Sequence, residues 1–170
     1  MNIRHTVIDS QVDQLLLVAV DDALAGVYFE GYRFTPQQDG LGPRVSSLSD
    51  PVLAQASREL AEYFAGERRV FDVPAVTAGD AMQEQVWARL REIPYGQRVT
   101  YGDIAIGLGD RSLSQLVGQA VGRNPVSIVI PCHRVVGSGG KLTGFGGGLR
   151  RKQILLELEE PDEVRESRLF

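Results

Sequence analysis

The chain has one cysteine and two histidines in 170 residues. A single thiol excludes an intramolecular disulfide, and two imidazoles cannot make up the deficit of a cysteine-based zinc site. No apolar run approaches the ~20 residues a membrane-spanning helix requires. The opening MNIRHTVIDS has no hydrophobic stretch of the secretory kind. Internal repeats, low-complexity tracts and long runs of like charge are missing too. These absences predict a cytoplasmic protein with a reduced thiol, no metal and no cofactor, away from the membrane.

What is present is ordinary for a globular chain: 43% hydrophobic and 24% charged residues. At this length roughly 70% of the unfolded surface is buried on folding, enough for one compact domain or two small ones. The net charge of −4 is unevenly spread. Residues 1–82 carry 6 Lys/Arg against 12 Asp/Glu, whereas residues 83–159 carry 10 against 6. The positive excess lies in the half that holds the cysteine, which is the asymmetry expected of a polyanion partner.

The first 30 residues read as strands at His5 to Ile8, Leu15 to Val20 and Ala25 to Phe29, with a hairpin turn at Asp21-Asp22. Residues 33–49 are loop-like. Ser49 or Asp50 can cap a helix that has Pro51 at its first position and Val52, Leu53, Ala56, Leu60 and Phe64 on its apolar face. Phe71 to Val76 reads as extended. A boundary near residues 75–82 separates this α/β half from a more helical one, opened by Met82, Val86, Trp87, Leu90 and Ile93 at helical spacing.

VTYGDIAIGLGDRSLSQLVGQAVGRNP, residues 99–125, holds two helix starts in tandem. Thr100 with Asp103, and Ser112 with Gln115, fit the capping-box pattern. Ile104, Ala105 and Leu108 give the first helix an apolar face; Leu113, Leu116, Val117, Ala120 and Val121 give one to the second. Joined by Gly109-Asp110-Arg111, they make a helix-turn-helix candidate. The outer face of the second helix carries Ser114, Gln115, Gly118, Gln119 and Gly122, with no acid. Exposed glycines cost a helix up to ~1 kcal/mol each relative to alanine, so their place here points to close packing against a partner.

IVIPCHRVVG, residues 128–137, places the β-branched run Ile128, Val129, Ile130 before Pro131, then Cys132, His133 and Arg134. A buried thiol packs as a small hydrophobe. A nucleophilic one needs a cation, a base or a helix N-terminus to become thiolate. Neighbours on an extended strand face opposite ways, so adjacency alone does not join Cys132 to His133. A carboxylate to hold the imidazole is available from Glu157, Glu159 or Glu160. TGFGGGLRRK, residues 143–152, adds a glycine-rich loop around Phe145. Arg150, Arg151 and Lys152 then stand at a helix start, where cations oppose the helix dipole and so imply an anionic partner.

NPVSIVIPCHRVVG, VTYGDIA and LTGFGGGLRRKQILLELE together resemble the O6-alkylguanine-DNA alkyltransferases, also called methylated-DNA–protein-cysteine methyltransferases. The resemblance is close over residues 80–159 and loose before them. It implies an α+β fold. Residues 1–78 would form a small antiparallel, ribonuclease-H-like sheet with a helix. Residues 79–160 would form a mostly α helix-turn-helix domain carrying the active cysteine, and 161–170 a tail. It implies repair in which the protein flips an O6-alkylguanine out of double-stranded DNA and transfers the alkyl group irreversibly to itself, once per molecule. The residues do not rank that lesion against O4-alkylthymine. Cys132 would be the acceptor, His133 its base through a bound water, Glu159 the residue orienting His133, and Asn124 the support of the adjoining turn. Tyr101, Val135, Phe145, Gly146, Gly147 and Lys152 would surround the base. Thr100, Tyr101, Ser114, Gln115, Gly118, Gly122 and Arg123 would face DNA, the protein acting as a monomer, cooperative along DNA or not.

Two positions depart from the family pattern. Gln115 stands where an arginine usually fills the gap left by the flipped base, and Phe145 replaces a commoner tyrosine. Three alternatives remain at this level: a lesion sensor impaired in transfer, a thiol hydrolase using Cys132, His133 and Glu159, and a plain DNA-binding module with an inert thiol.

Overall fold

The computed structural model describes residues 1–162. It opens with three antiparallel strands, β1 (Ile3–Ile8), β2 (Leu15–Val20) and β3 (Ala23–Phe29), paired in that order. Asp21, at φ 51°, turns the β2–β3 hairpin where the sequence places it. Helix α1 (Pro51–Phe64) packs on this sheet. Its cap is Asp50, not Ser49: the carboxylate accepts from the amides of Val52 and Leu53 at 3.0 and 3.1 Å and also pairs with Arg4. The buried Glu59 of α1 accepts from the amides of Asp72 and Val73, tying down the segment that follows. That segment is extended but forms no strand of its own; it joins β3 through the Leu24–Ala75 bridge.

The second half contains α2 (Ala81–Arg91), β4 (Val99–Thr100), α3 (Tyr101–Gly107), α4 (Ser114–Gly122), β5 (Val135–Val136) and α5 (Leu149–Leu158). The Thr100–Asp103 capping box forms and starts α3. The Ser112–Gln115 box does not. Asp110 accepts from the Ser112 amide at 2.9 Å and starts a single 3-10 turn, Arg111–Leu113, which leads into α4 without a side-chain cap. An acceptor two residues upstream takes the amide first. Leu116, placed by spacing on the apolar face, is instead 49% exposed.

The core runs unbroken through both halves. Leu17, Val27 and Leu60 belong to the same buried cluster as Trp87, Val117 and Leu155. The Trp87 indole donates to the Ala120 carbonyl at 2.8 Å, fixing α4 on α2. The outer edge of β3 takes up chain from beyond itself: Val27 N–H donates to Pro125 O and Ser127 N–H to Val27 O. Among the described residues no helix is long and apolar enough to cross a membrane.

Candidate active site

Residues 128–130 do not form a strand. Ile128 has φ +73°, a left-handed conformation that a β-branched residue adopts only under constraint. The constraint is Asn124. Its side-chain amide donates to Ile130 O at 2.8 Å, and its side-chain oxygen accepts from Val126 N–H at 3.0 Å. One buried residue thus clamps both ends of the connection between α4 and the cysteine. Cys132, His133 and Arg134 then make one 3-10 turn. Successive side chains on such a turn diverge by about 120°. Cys132 therefore faces a cleft while His133 faces the interior.

The interior partner of His133 is Glu159, just past the end of α5. His133 Nε2 lies 2.6 Å from Glu159 Oε2. Arg134 donates to both oxygens of the same carboxylate, at 2.7 and 3.1 Å, and the Tyr63 hydroxyl donates to it at 2.5 Å. Burial opposes a charge on Glu159, but its bonds to His133 and Arg134 hold the carboxyl far below the usual range. Burial also keeps the imidazole neutral, pushing His133 down against the pull of Glu159. With Nε2–H directed at the carboxylate, Nδ1 carries the free lone pair; it has no partner among the described residues. Burial pushes the Cys132 thiol up, against the Asn124 and Ser127 hydrogen bonds and the Lys152 charge. The resting group is a thiol, and the next residue in the chain carries a ring nitrogen with no hydrogen-bond partner among the described residues.

The cleft beside Cys132 is lined by Asn124, Ser127, Phe145, Gly146 and Gly147, and also by Tyr32 from the first half. It offers about 10 Å³ to water centres, roughly one molecule. Lys152 is fully buried, donates to Thr143 O at 3.0 Å and lies 5.8 Å from the Phe145 ring centre. Its burial lowers its pKa to about 8. Tyr101 reaches across to the glycine loop, its hydroxyl 3.3 Å from Gly144 O. Val135 is not a wall of this cleft: it is buried, and its amide donates to Cys132 O while its backbone pairs with Val99.

On the outer face of α4, Gln115 is exposed, while Ser114, Gly118 and Gly122 are half-buried. Gly118 lies against the Tyr101 ring, and Gly122 O accepts from the Tyr32 hydroxyl at 2.6 Å. Thr100 sits behind them as the cap of α3. Arg123 is stacked on Phe34, its guanidinium carbon 3.7 Å from the ring centre. Arg150 and Arg151 depart from expectation. Their anion is the chain's own Asp13, which meets both, and Arg151 also donates to Glu30 O. Tyr63, Arg134 and Tyr32 were not singled out by the sequence as site residues. Arg134 had a signal, a guanidinium next to a suspected base; Tyr63 and Tyr32 had none.

A helix-turn-helix joined through one asparagine to a turn that carries a buried cysteine and a His133–Glu159 pair is the arrangement expected of a DNA-binding protein that uses a thiol. The comparisons narrow the class. Residues 81–161 match the family described as 6-O-methylguanine DNA methyltransferase, DNA binding domain, and residues 3–75 match its ribonuclease-like domain. The chain is 39% identical over 170 residues to the methylated-DNA–protein-cysteine methyltransferase of Mycolicibacterium paratuberculosis, covering 99% of each. It is 49% identical over 111 residues to that of Methanosarcina acetivorans, covering 65% of this chain and 71% of the relative. The crystal structure of Mycobacterium tuberculosis OGT in complex with DNA superposes with a TM-score of 0.83 at 38% identity, covering 95% of this chain and 97% of that one. The chain belongs to the methylated-DNA–protein-cysteine methyltransferases, whose members transfer the alkyl group of a damaged base to their own cysteine in a single turnover.

Proposed function

We propose that Cys132 is the alkyl acceptor and that the rest of the buried array serves it. O6 of a stacked guanine cannot reach a thiol set inside a cleft, so the lesion has to be flipped out of the duplex. The thiol proton passes through a water to His133 Nδ1, and Glu159, held ionised by Arg134, stabilises the imidazolium. The thiolate attacks the alkyl carbon, a C–S bond forms, and the C–O6 bond breaks with its electron pair going to the departing guanine. That guanine takes up one proton, balancing the one the thiol gave up. The thioether has no route back, which limits each molecule to one event.

Further roles follow from position. Tyr101 helps rotate the nucleotide and contacts the base; Phe145, Gly146 and Gly147 shape the pocket, and Lys152 supports their loop. The backbone at Cys132 meets the base edge, without Val135, whose buried backbone is already paired. Ser114, Gln115, Gly118, Gly122 and Arg123, with Thr100 at the start of α3, approach DNA from α4 in the minor groove. The division of the chain that we propose gives residues 1–78 to the scaffold and 79–160 to DNA binding and transfer. Of the tail, 161–170, residues 163–170 lie outside the described residues. We place the protein in the cytoplasm, as a monomer acting on O6-alkylguanine in double-stranded DNA.

The observation that carries this reading is the 2.6 Å contact between Glu159 and the histidine on the same turn as Cys132. Intact-protein mass spectrometry after mixing with a duplex holding one O6-methylguanine tests it, with Cys132→Ser alongside. One added methyl on the wild type alone, saturating at one per chain, is the expected result. Lesion binding without transfer would make the protein a sensor. No binding would return the thiol to the hydrolase reading.

A further inference from the structure

The first half of the chain contributes to the cleft as well as supporting it. After β3 the backbone turns at Tyr32, whose amide donates to Phe29 O. The Tyr32 side chain is 9% exposed and is a wall of the cleft that holds Cys132. Its ring packs against Gly146: a Cβ there would come within 2.5 Å of Tyr32 Cε2. Its hydroxyl is anchored on the last residue of α4, Gly122. Tyr28 and Phe34 back the ring at centre distances of 6.0 and 5.7 Å. It is therefore held at three points, against the loop, the recognition helix and its own sheet.

Chemistry decides what such a wall meets. In a displacement at carbon the sulfur and the departing oxygen lie on opposite sides of the carbon attacked. Whatever occupies the space beside Cys132 is thus the transferred group, with the purine farther out. Ser127, Gly146 and Tyr32 bound that space, and a closed cleft with room for about one water admits a methyl far more readily than a ring.

We propose that Tyr32 is a specificity-determining residue, setting the size of alkyl group that Cys132 accepts. This rests on the alkyl-transfer reading above. The ring limits the depth available beyond the alkyl carbon, and the Gly122 bond keeps it from swinging aside.

The test compares two donors in the full-length protein: free O6-benzylguanine and a duplex carrying O6-methylguanine, each followed by the mass gain on Cys132. For Tyr32→Ala the ratio of benzyl to methyl rate is expected to rise about tenfold or more, the scale on which apolar pockets discriminate by size. Tyr32→Phe keeps the ring, loses the Gly122 bond, and should fall between. A residue needed only for packing would slow both donors together, so an unchanged benzyl-to-methyl ratio overturns the proposal. If Tyr32→Ala loses its cooperative melt, the ratio is read in Tyr32→Leu, which keeps the apolar contacts to Tyr28 and Phe34 but not the flat ring. Failure of the wild type to take up methyl would instead overturn the alkyl-transfer reading itself.

Discussion

Arg134 grips both oxygens of Glu159 from the same 3-10 turn that presents Cys132. The carboxylate hydrogen-bonded to His133 is therefore neutralised by a permanent cation. It stays ionised whether the imidazole is neutral before proton transfer or charged after it.

Replacing Glu159 with Gln leaves Arg134 buried beside a neutral amide. Breaking a buried pair in this way costs about 3–5 kcal/mol. Transfer to Cys132 should also slow by about 10² or more, since the base loses its partner. Urea unfolding and single-turnover mass gain measure the two losses separately.

The pH response follows from two depressed groups. His133 is neutral in the folded protein, so below about 6.5 the unfolded chain takes up the proton first and stability falls as pH falls. Glu159 is ionised when folded, and its contribution is lost as pH drops below about 4.3, where the unfolded carboxyl protonates. Both signs agree: acid destabilises in two stages. Denaturant titrations between pH 8 and 2 should show them, and His133→Gln should abolish the first. The transfer rate should stay level as pH falls through the ordinary imidazole range and decline only below it.

Asn124→Ala removes two buried hydrogen bonds and leaves the Val126 amide unpaired, while the Ile130 carbonyl keeps its bond from the Cys132 amide. The expected loss is about 1–3 kcal/mol. Released from its clamp, Ile128 should relax from its left-handed conformation and move Cys132 with it, so transfer falls too. Asn124→Asp keeps the acceptor for Val126 and should lose less stability than alanine. Thermal melts rank the three proteins.

Gln115 is exposed on α4 and uncharged. Gln115→Arg should tighten DNA binding at low salt and steepen the dependence of log affinity on log salt by about one unit, as one more phosphate contact does. Fluorescence anisotropy across a salt series measures the slope. No change in either would show that this position lies off the DNA.

Features written in short sequence windows could be read directly. The β2–β3 hairpin, the apolar face of α1 and the Thr100–Asp103 box depend on residues within a few positions of one another, and each formed. The Ser112–Gln115 box was misread because Asp110 competes for the same amide, a choice that spacing alone does not reveal. Ile130 looked like strand because β-branched residues favour extended backbone; the Asn124 clamp overrides that preference at Ile128. Glu159 was reached through resemblance, since three glutamates near the end of α5 fit equally well by chemistry. Tyr63 and Tyr32 were invisible. Their partners lie 96 and 90 residues away in sequence, and no local pattern records contacts of that span.

The sheet of the first half has little bare edge. Beside β1, His5 pairs with Pro43 and Val45, and beside β3 the chain around Pro74 and then Pro125 supplies partners. The last of these comes from the second half, within the connection that Asn124 shapes. Cut away from that half, β3 would offer Val27 with both backbone groups unsatisfied, an open template for another copy. The second half thus covers an edge that the first would otherwise expose to self-association. The turn that carries Cys132 begins in the chain that seals the neighbouring sheet.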